Sequence, residues 1–314
     1  MRHSLYDNQQ QLGFLLAQTT YIESQVYRIQ YPEIMYPKLM PIDTSASEWA
    51  KSITYYSIDR VGNADWYDGQ ATNIPMADIN RDKREQGVEM AAIGYRYNLE
   101  EIGVAMMIPG MNLSSERAEA ARRAYEEFID RLVRVGDTRK KITGLFNNPF
   151  VTRTTAIADG SGSSSLWINK TGDQMIADVT GALTAVYQGS NTVEMADTVL
   201  LPIANLQLLA NTRIANTYGN VLDYLMKYNL WKQTTGQDLT ILGVLSLDTA
   251  GINGSARMVA YRRDPQVIKL HLPMPHRFLP VFQTGPMTYD IPGIFRVGSV
   301  EVRRPGAVQY VDGI

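Results

Sequence analysis

The sequence has no cysteine among its 314 residues, which excludes disulfides, thiolate metal sites and a cysteine nucleophile. Histidine is almost as scarce: His3, His271 and His276 are the only three, so a three-histidine metal centre or a Ser-His-Asp triad has few places to form. Long hydrophobic runs are missing as well. The most apolar region, residues 199–209, is broken by Pro202, Asn205 and Gln207 and falls far short of the ~20 residues of a membrane span, so no membrane association is expected. The apolar stretch at residues 12–17 is too short and too polar in its flanks for a cleaved signal, which places synthesis in the cytoplasm. Nor does charge of one sign dominate. Thirty Lys and Arg stand against 32 Asp and Glu, a net charge of −2, without the basic field of a dedicated nucleic-acid binder. What is present is a globular balance of 45% hydrophobic and 20% charged residues, enough for one sizeable core or two.

Residues 1–50 are rich in Gln, Tyr and Pro, and Pro32, Pro37 and Pro41 rule out a long helix or a central strand. They read as an extended arm whose Tyr27, Tyr31 and Tyr36 carry more apolar surface than a solvated linker needs. Residues 53–58 (ITYYSI) and 88–97 have strand character and are placed to pair as a long hairpin. Between them runs a polar stretch containing Trp66, Tyr67, Arg81, Lys83 and Arg84, read as a long functional loop. Ala121, Tyr125, Phe128, Leu132 and Val135 then recur at helical spacing, with Ser114 placed to cap and Gly136 to terminate. Thr171 and Gln174 fit a capping box for a second amphipathic helix reaching about Tyr187. A strand at 198–202 leads into a helix opened by Pro202, a short helix covers 221–230, and the run LTILGVLSL (239–247) reads as a buried strand. Asn253-Gly254 marks a tight turn, and alternation returns at Ile268, Leu270, Leu272 and at Val300, Val302. The class is α+β.

Chemical motifs are few. GSGSSS (160–165) lacks the Lys-Ser/Thr ending of a phosphate loop and reads as a surface loop. His271 and His276 flank Pro273 and Pro275 and read as strand-surface histidines. Residues 257–314 carry a net +4, with Arg257, Arg262, Arg263, Arg303 and Arg304 prominent; these arginines either face a polyanion through phosphate contacts or pair with acids of a neighbouring subunit. No catalytic, cofactor-binding or metal-binding residues are assigned, and no enzyme activity or cofactor is expected. The arm and the hairpin are both poor at burying themselves, as expected of copies that interlock.

Three segments resemble the major capsid (coat) proteins of tailed double-stranded-DNA bacteriophages, whose fold is shared with encapsulin shells. They are RMVAYRRDPQVIKLHLPMPHRFLP (257–280), FRVGSVEVRRPGAVQYVDGI (295–314) and GDTRKKITGLFNNPFV (136–151). The order of elements is similar over essentially the whole chain. The resemblance implies an N-terminal arm (1–45), an extended β-hairpin loop (46–97), a peripheral domain with a spine helix (98–170 and 266–314) and an axial domain (171–265). It further implies a structural subunit that self-assembles into pentamers and hexamers and closes an icosahedral shell around packaged DNA, with Tyr27, Tyr31, Tyr36, Trp66, Tyr67, Arg81, Lys83 and Arg84 at inter-subunit contacts. Portal, separate scaffolding and decoration proteins are the implied partners, with non-specific contact to DNA, in a virion assembled in the host cytoplasm. An encapsulin-like compartment is the alternative. No Lys-Asn pair matches a shell cross-link residue by residue, and covalent cross-linking stays open.

Overall fold

The computed structural model describes residues 32–61, 78–98, 100–101, 113–215 and 217–314. Chain contacts separate Met1–Glu33 from a compact unit Ile34–Ile314, and the description that follows concerns the latter. It opens with a single helical turn, α1 (Tyr36–Leu39), and a two-residue strand, β1 (Ile42–Asp43). The hairpin strands β2 (Ser52–Val61) and β3 (Asp78–Ala92), the strand β4 (Tyr95–Asn98) and the long helix α2 (Leu113–Val135) follow. Next come β5 (Thr152–Thr155), α3 (Gly172–Gly189), β6 (Thr198–Leu201), α4 (Ile203–Asn211), α5 (Val221–Lys227), α6 (Leu230–Thr235), β7 (Thr240–Gly243) and β8 (Arg257–Tyr261). The chain closes with β9 (Ile268–His271), β10 (Met274–Phe278), β11 (Phe282–Gly285), β12 (Thr288–Ile291), β13 (Gly293–Gly298), β14 (Val300–Val302) and β15 (Val308–Asp312).

The centre of the fold is a five-stranded sheet in the order β5-β15-β8-β6-β7. Its side chains alternate between two cores. Leu200, Val259, Tyr261, Val308 and Tyr310 point to one that also holds Ile129, Leu132 and Val133 of α2; Val199, Leu201, Met258, Ala260 and Val311 point to the other, under Met175, Val179, Leu183 and Val186 of α3. A sheet covered on both faces explains why TVLL, RMVAY and VQYVD read as apolar runs instead of alternating ones.

Helix α2 starts within a residue of the expected cap and stops before Gly136, which adopts φ +74°. Its stripe of apolar residues buries Ala121, Tyr125, Ile129 and Leu132. The Thr171–Gln174 capping box forms in both directions: the Gln174 amide donates to Thr171 Oγ1 at 3.4 Å, and the Thr171 amide donates to Gln174 Oε1 at 2.8 Å. Thr171→Ala takes the acceptor from the Gln174 amide and is expected to lower stability by about 1 kcal/mol, read as a shift of the urea midpoint at unchanged slope.

Several elements depart from the sequence reading. Residues 34–45, expected as the end of the arm, are built into the body. Asp130 of α2, itself buried, accepts the amides of Met35 (3.0 Å) and Tyr36 (2.8 Å), and so caps α1 from outside. The Tyr261 hydroxyl donates to Leu39 O, and Arg263 Nη2 donates to Pro37 O at 2.9 Å. The polar stretch after Ile58 is strand on both sides of its tip, out to Val61 and back from Asp78. Pro202 is the N-cap of α4 and not its first helical residue. The expected helix over 221–230 is two, because Asn229 Oδ1 takes the Lys232 amide at 2.8 Å and starts α6. Only Thr240–Gly243 of the 239–247 run is strand; Ser246 turns at φ +73°, while Val244 and Leu247 stay in the core.

Candidate interaction surfaces

Strand β3 divides its partners. Asp78–Gly87 pair antiparallel with β2, from Val61↔Asp78 to Ser52↔Gly87, whereas Val88–Ala92 pair with β13. The outer part is therefore a two-stranded ribbon ten pairs long, about 34 Å at strand rise. One face turns to the body: Tyr55 lies under the guanidinium of Arg303 at 5.4 Å, and Arg84 lies over the Phe150 ring at 5.7 Å. The other face, with Thr54, Tyr56, Lys83 and Glu85, is open; Tyr56 is 65% and Ile79 54% exposed. A two-stranded ribbon in water is marginal by itself, and Tyr56 and Ile79 on this one stay more than half exposed.

The residues expected at contacts divide accordingly. Arg81 and Lys83 are exposed on the ribbon, Lys83 4.0 Å from Glu85. Arg84 faces inward. Tyr36 is buried in the chain's own core, where the low-polarity surroundings and the nearby charges of Glu126 and Asp130 raise its hydroxyl pKa, so it is not a surface group. Tyr27, Tyr31, Trp66 and Tyr67 lie outside the described residues.

Two further apolar surfaces come from segments to which the sequence reading gave no role. The three-stranded sheet β11-β12-β4 is held by a two-pronged ion pair, Arg96 Nε and Nη2 on Asp290 at 2.6 and 2.8 Å, and exposes Val281, Phe282 and Met287 around its turn. Around α5, Tyr224 and Tyr228 contact each other at 5.1 Å between centroids and are exposed together with Met226 and Tyr218. Strand β5 is an edge of the central sheet with all four residues exposed. Amphipathic spacing does not flag such residues, because each lies on a short element whose outward apolar positions look like core positions.

The arginines near the end of the chain are not a free basic surface. Arg257 pairs with Asp312 at 2.5 Å, Arg262 with Asp197 at 3.1 Å, Arg303 with Glu301 at 2.8 Å and Arg304 with Glu194. Arg263 is turned onto the Pro37 carbonyl. Both expected uses, facing a polyanion and pairing with a neighbouring subunit, give way to pairing inside the chain, with acids that lie far away in sequence for Arg257, Arg262 and Arg304. His271 is likewise not a surface residue. It is 2% exposed and bonded through Nε2 to Glu301, which is fully buried. His276 is half-buried, stacked on Tyr125 at 5.2 Å with Nε2 on the Ile93 carbonyl at 3.1 Å. The signal for the His271 site was the matched alternation of Lys269 and His271 on β9 with Glu301 and Arg303 beside it, which the register places side by side as Glu301↔Lys269.

Among the described residues no group of His, Asp and Glu is arranged to hold a metal, and no helix is long and apolar enough to cross a membrane. What the described residues present outward is a set of exposed apolar groups on the ribbon, at the β11–β12 turn and around α5.

Comparison with known proteins agrees with that. A family model described as major capsid protein matches residues 62–314. Among solved structures the chain is similar to the capsid of Myoviridae phage XM1, with a TM-score of 0.77, 18% identity and coverage of 95% of this chain and 98% of that one. It is also similar to a chain of Mycobacterium phage Bobi, with a TM-score of 0.63, 15% identity and coverage of 95% and 96%. A virus-like particle from Pyrococcus furiosus aligns with a TM-score of 0.53, 12% identity and coverage of 88% and 91%. Among curated proteins none matches the sequence.

Proposed function

The chain belongs to the major capsid protein family and is a shell-forming structural subunit with a tailed-phage capsid fold, and we propose that its copies gather into pentamers and hexamers that close an icosahedral shell around double-stranded DNA. The observation that carries this is the ten-pair ribbon on which the Tyr56 ring is 65% exposed: a neighbouring copy supplies the further burial. In this reading residues 46–97 are the loop laid over the adjacent subunit, 98–170 with 266–314 the peripheral domain, and 171–265 the axial domain, whose Tyr218, Tyr224 and Tyr228 face the centre of each ring. Residues 1–33 reach to a further neighbour. Arg81 and Lys83 meet the adjacent subunit beside Tyr56. DNA is contacted without base reading, in keeping with the near-neutral subunit, and portal, scaffolding and decoration proteins complete a virion assembled in the host cytoplasm.

The purified full chain tests this by negative-stain microscopy and light scattering. Closed particles, or rings of five and six with masses in the megadalton range for shells, are expected. A uniform monomer or dimer that stays so on addition of a phage lysate would sink the reading, and particles with protein cores in place of DNA would favour a compartment shell.

A further inference from the structure

Three chain segments meet at one buried group of charges. Strand β9 brings Lys269 and His271, β14 and the residue after it bring Glu301 and Arg303, and β1 brings Asp43 from the root of the N-terminal segment. Lys269 Nζ lies 2.5 Å from Asp43 Oδ2 and 3.9 Å from Glu301 Oε2. Arg303 Nε donates to Glu301 Oε1 at 2.8 Å, and the Ser45 hydroxyl and amide donate to Asp43 Oδ1 at 2.6 and 3.0 Å. Tyr55 of the ribbon faces Glu301 and Arg303, with Arg84 beside it. Two carboxylates are thus matched by two cations before His271 is counted. Its Nε2 is bonded to Glu301 Oε2, but its buried Nδ1 has no hydrogen-bond partner and lies 3.6 Å from Asp43 Oδ2.

A neutral imidazole has one ring proton. Placed on Nε2, that proton serves Glu301 and leaves the Nδ1 lone pair turned towards a carboxylate, an arrangement that holds the two apart. A second proton on Nδ1 converts the opposed pair into donor and acceptor.

We propose that this cluster is a proton-operated clasp on the root of the N-terminal segment, in which uptake of one proton by His271 adds a hydrogen bond from Nδ1 to Asp43 and tightens the pairing of β1 with β9. The sign follows from the neighbours. Burial alone would raise the carboxyl of Asp43, but hydrogen bonds from Lys269 and Ser45 hold it far below the usual carboxylate range. Burial opposes ionisation of Glu301 too, and the hydrogen bonds from His271 and Arg303 outweigh it. These donors hold both acids in the charged form, so a proton arriving on His271 meets a carboxylate on each side and strengthens the clasp. Through Arg303, which touches both Glu301 and the Tyr55 ring, the same group fastens the foot of the ribbon. The clasp belongs to the single chain, so its test does not depend on shell closure.

The readout is built in: the Leu270 amide donates to Pro41 O and the Leu272 amide to Asp43 O, each at 2.9 Å, so these two amides report the β1–β9 pairing. Hydrogen exchange on the full chain at pH 7.5 and 5.5, corrected for intrinsic rates, is expected to slow about tenfold at the lower pH in peptides carrying them, the size of one charge-assisted hydrogen bond. His271→Gln and Asp43→Asn are each expected to abolish the difference. Exchange in the wild-type chain that does not slow at pH 5.5 would overturn the proposal, and so would an equal response in His271→Gln. If either variant fails to fold, the wild-type comparison alone decides.

Discussion

Asp312→Ala is expected to destabilise the subunit by about 3–5 kcal/mol, enough to remove much of the stability of an ordinary domain. Arg257 and Asp312 face each other across the β8–β15 ladder and are each 2% exposed. Each nitrogen of the guanidinium donates once: Nε and Nη2 to the two carboxylate oxygens at 2.5 and 2.7 Å, and Nη1 to the Phe146 carbonyl at 2.5 Å. Its carbon lies 4.6 Å from the Tyr310 ring centroid. Asp312 Oδ2 also accepts the Ile252 amide at 3.1 Å, so it fixes the turn through Asn253 and Gly254. Removing the carboxylate leaves a buried cation facing a hole, and the penalty is the stranded charge more than the lost attraction. The control is Arg257→Met with Asp312→Leu, which strands nothing and is expected to cost far less. Urea denaturation of the wild type, the single variant and the double variant checks both statements. A double variant as unstable as the single one would show that the site fails by packing and not by charge.

The second large effect is on assembly. Excising residues 56–83 and joining Tyr55 to Arg84, which face each other in the ladder, through an Asn-Gly turn is expected to abolish particles while leaving a folded subunit. The cut spares every pair between β3 and β13 and keeps Tyr55 beneath Arg303. It removes the exposed Tyr56 and Ile79 together with Arg81 and Lys83. A closed two-residue turn of the Asn-Gly type suits the twist of the remaining strands. Far-ultraviolet circular dichroism and the urea midpoint should stay near wild type, and sedimentation should show only small species. Wild-type-sized particles from this variant would refute the role given to the ribbon.

How far the sequence could be read depended on whether an element announces itself through its own spacing. Helix α2 did, because a stripe at three and four residues and a glycine after it are local, although Ser114, expected as its cap, lies inside its first turn. The same holds for Thr171 with Gln174 and for the strand at 53–58, but not for its expected pairing with 88–97: the polar residues 78–87 take that place, and 88–92 pair with β13. Buried charges did not. Alternation assigns Lys269, His271, Glu301 and Arg303 to an outer face, and only the arrival of Asp43 on a third strand makes that face an interior one. Asp130 was an acid on a helix face until the turn at Tyr36 required a cap. The break between α5 and α6 depended on Asn229, whose side chain ends one helix on the Leu225 carbonyl and starts the next. In the proposed shell the exposed apolar groups of the ribbon, of the β11–β12 turn and of α5 would answer to surfaces in other molecules, which no pattern within one chain encodes.

The change of partner along β3 has a mechanical consequence. Up to Gly87 the strand has only β2 beside it, and from Val88 it is anchored to β13; Tyr55 and Arg84 still touch the body, so the lever is the outer part of the ribbon, beyond that pair. A turn of 10° at that point carries the far end of a ~20 Å arm through about 3.5 Å without disturbing either core. Identical subunits set at different local curvatures can therefore keep the same grip on their neighbours, with the accommodation confined to a single joint outside the packed body.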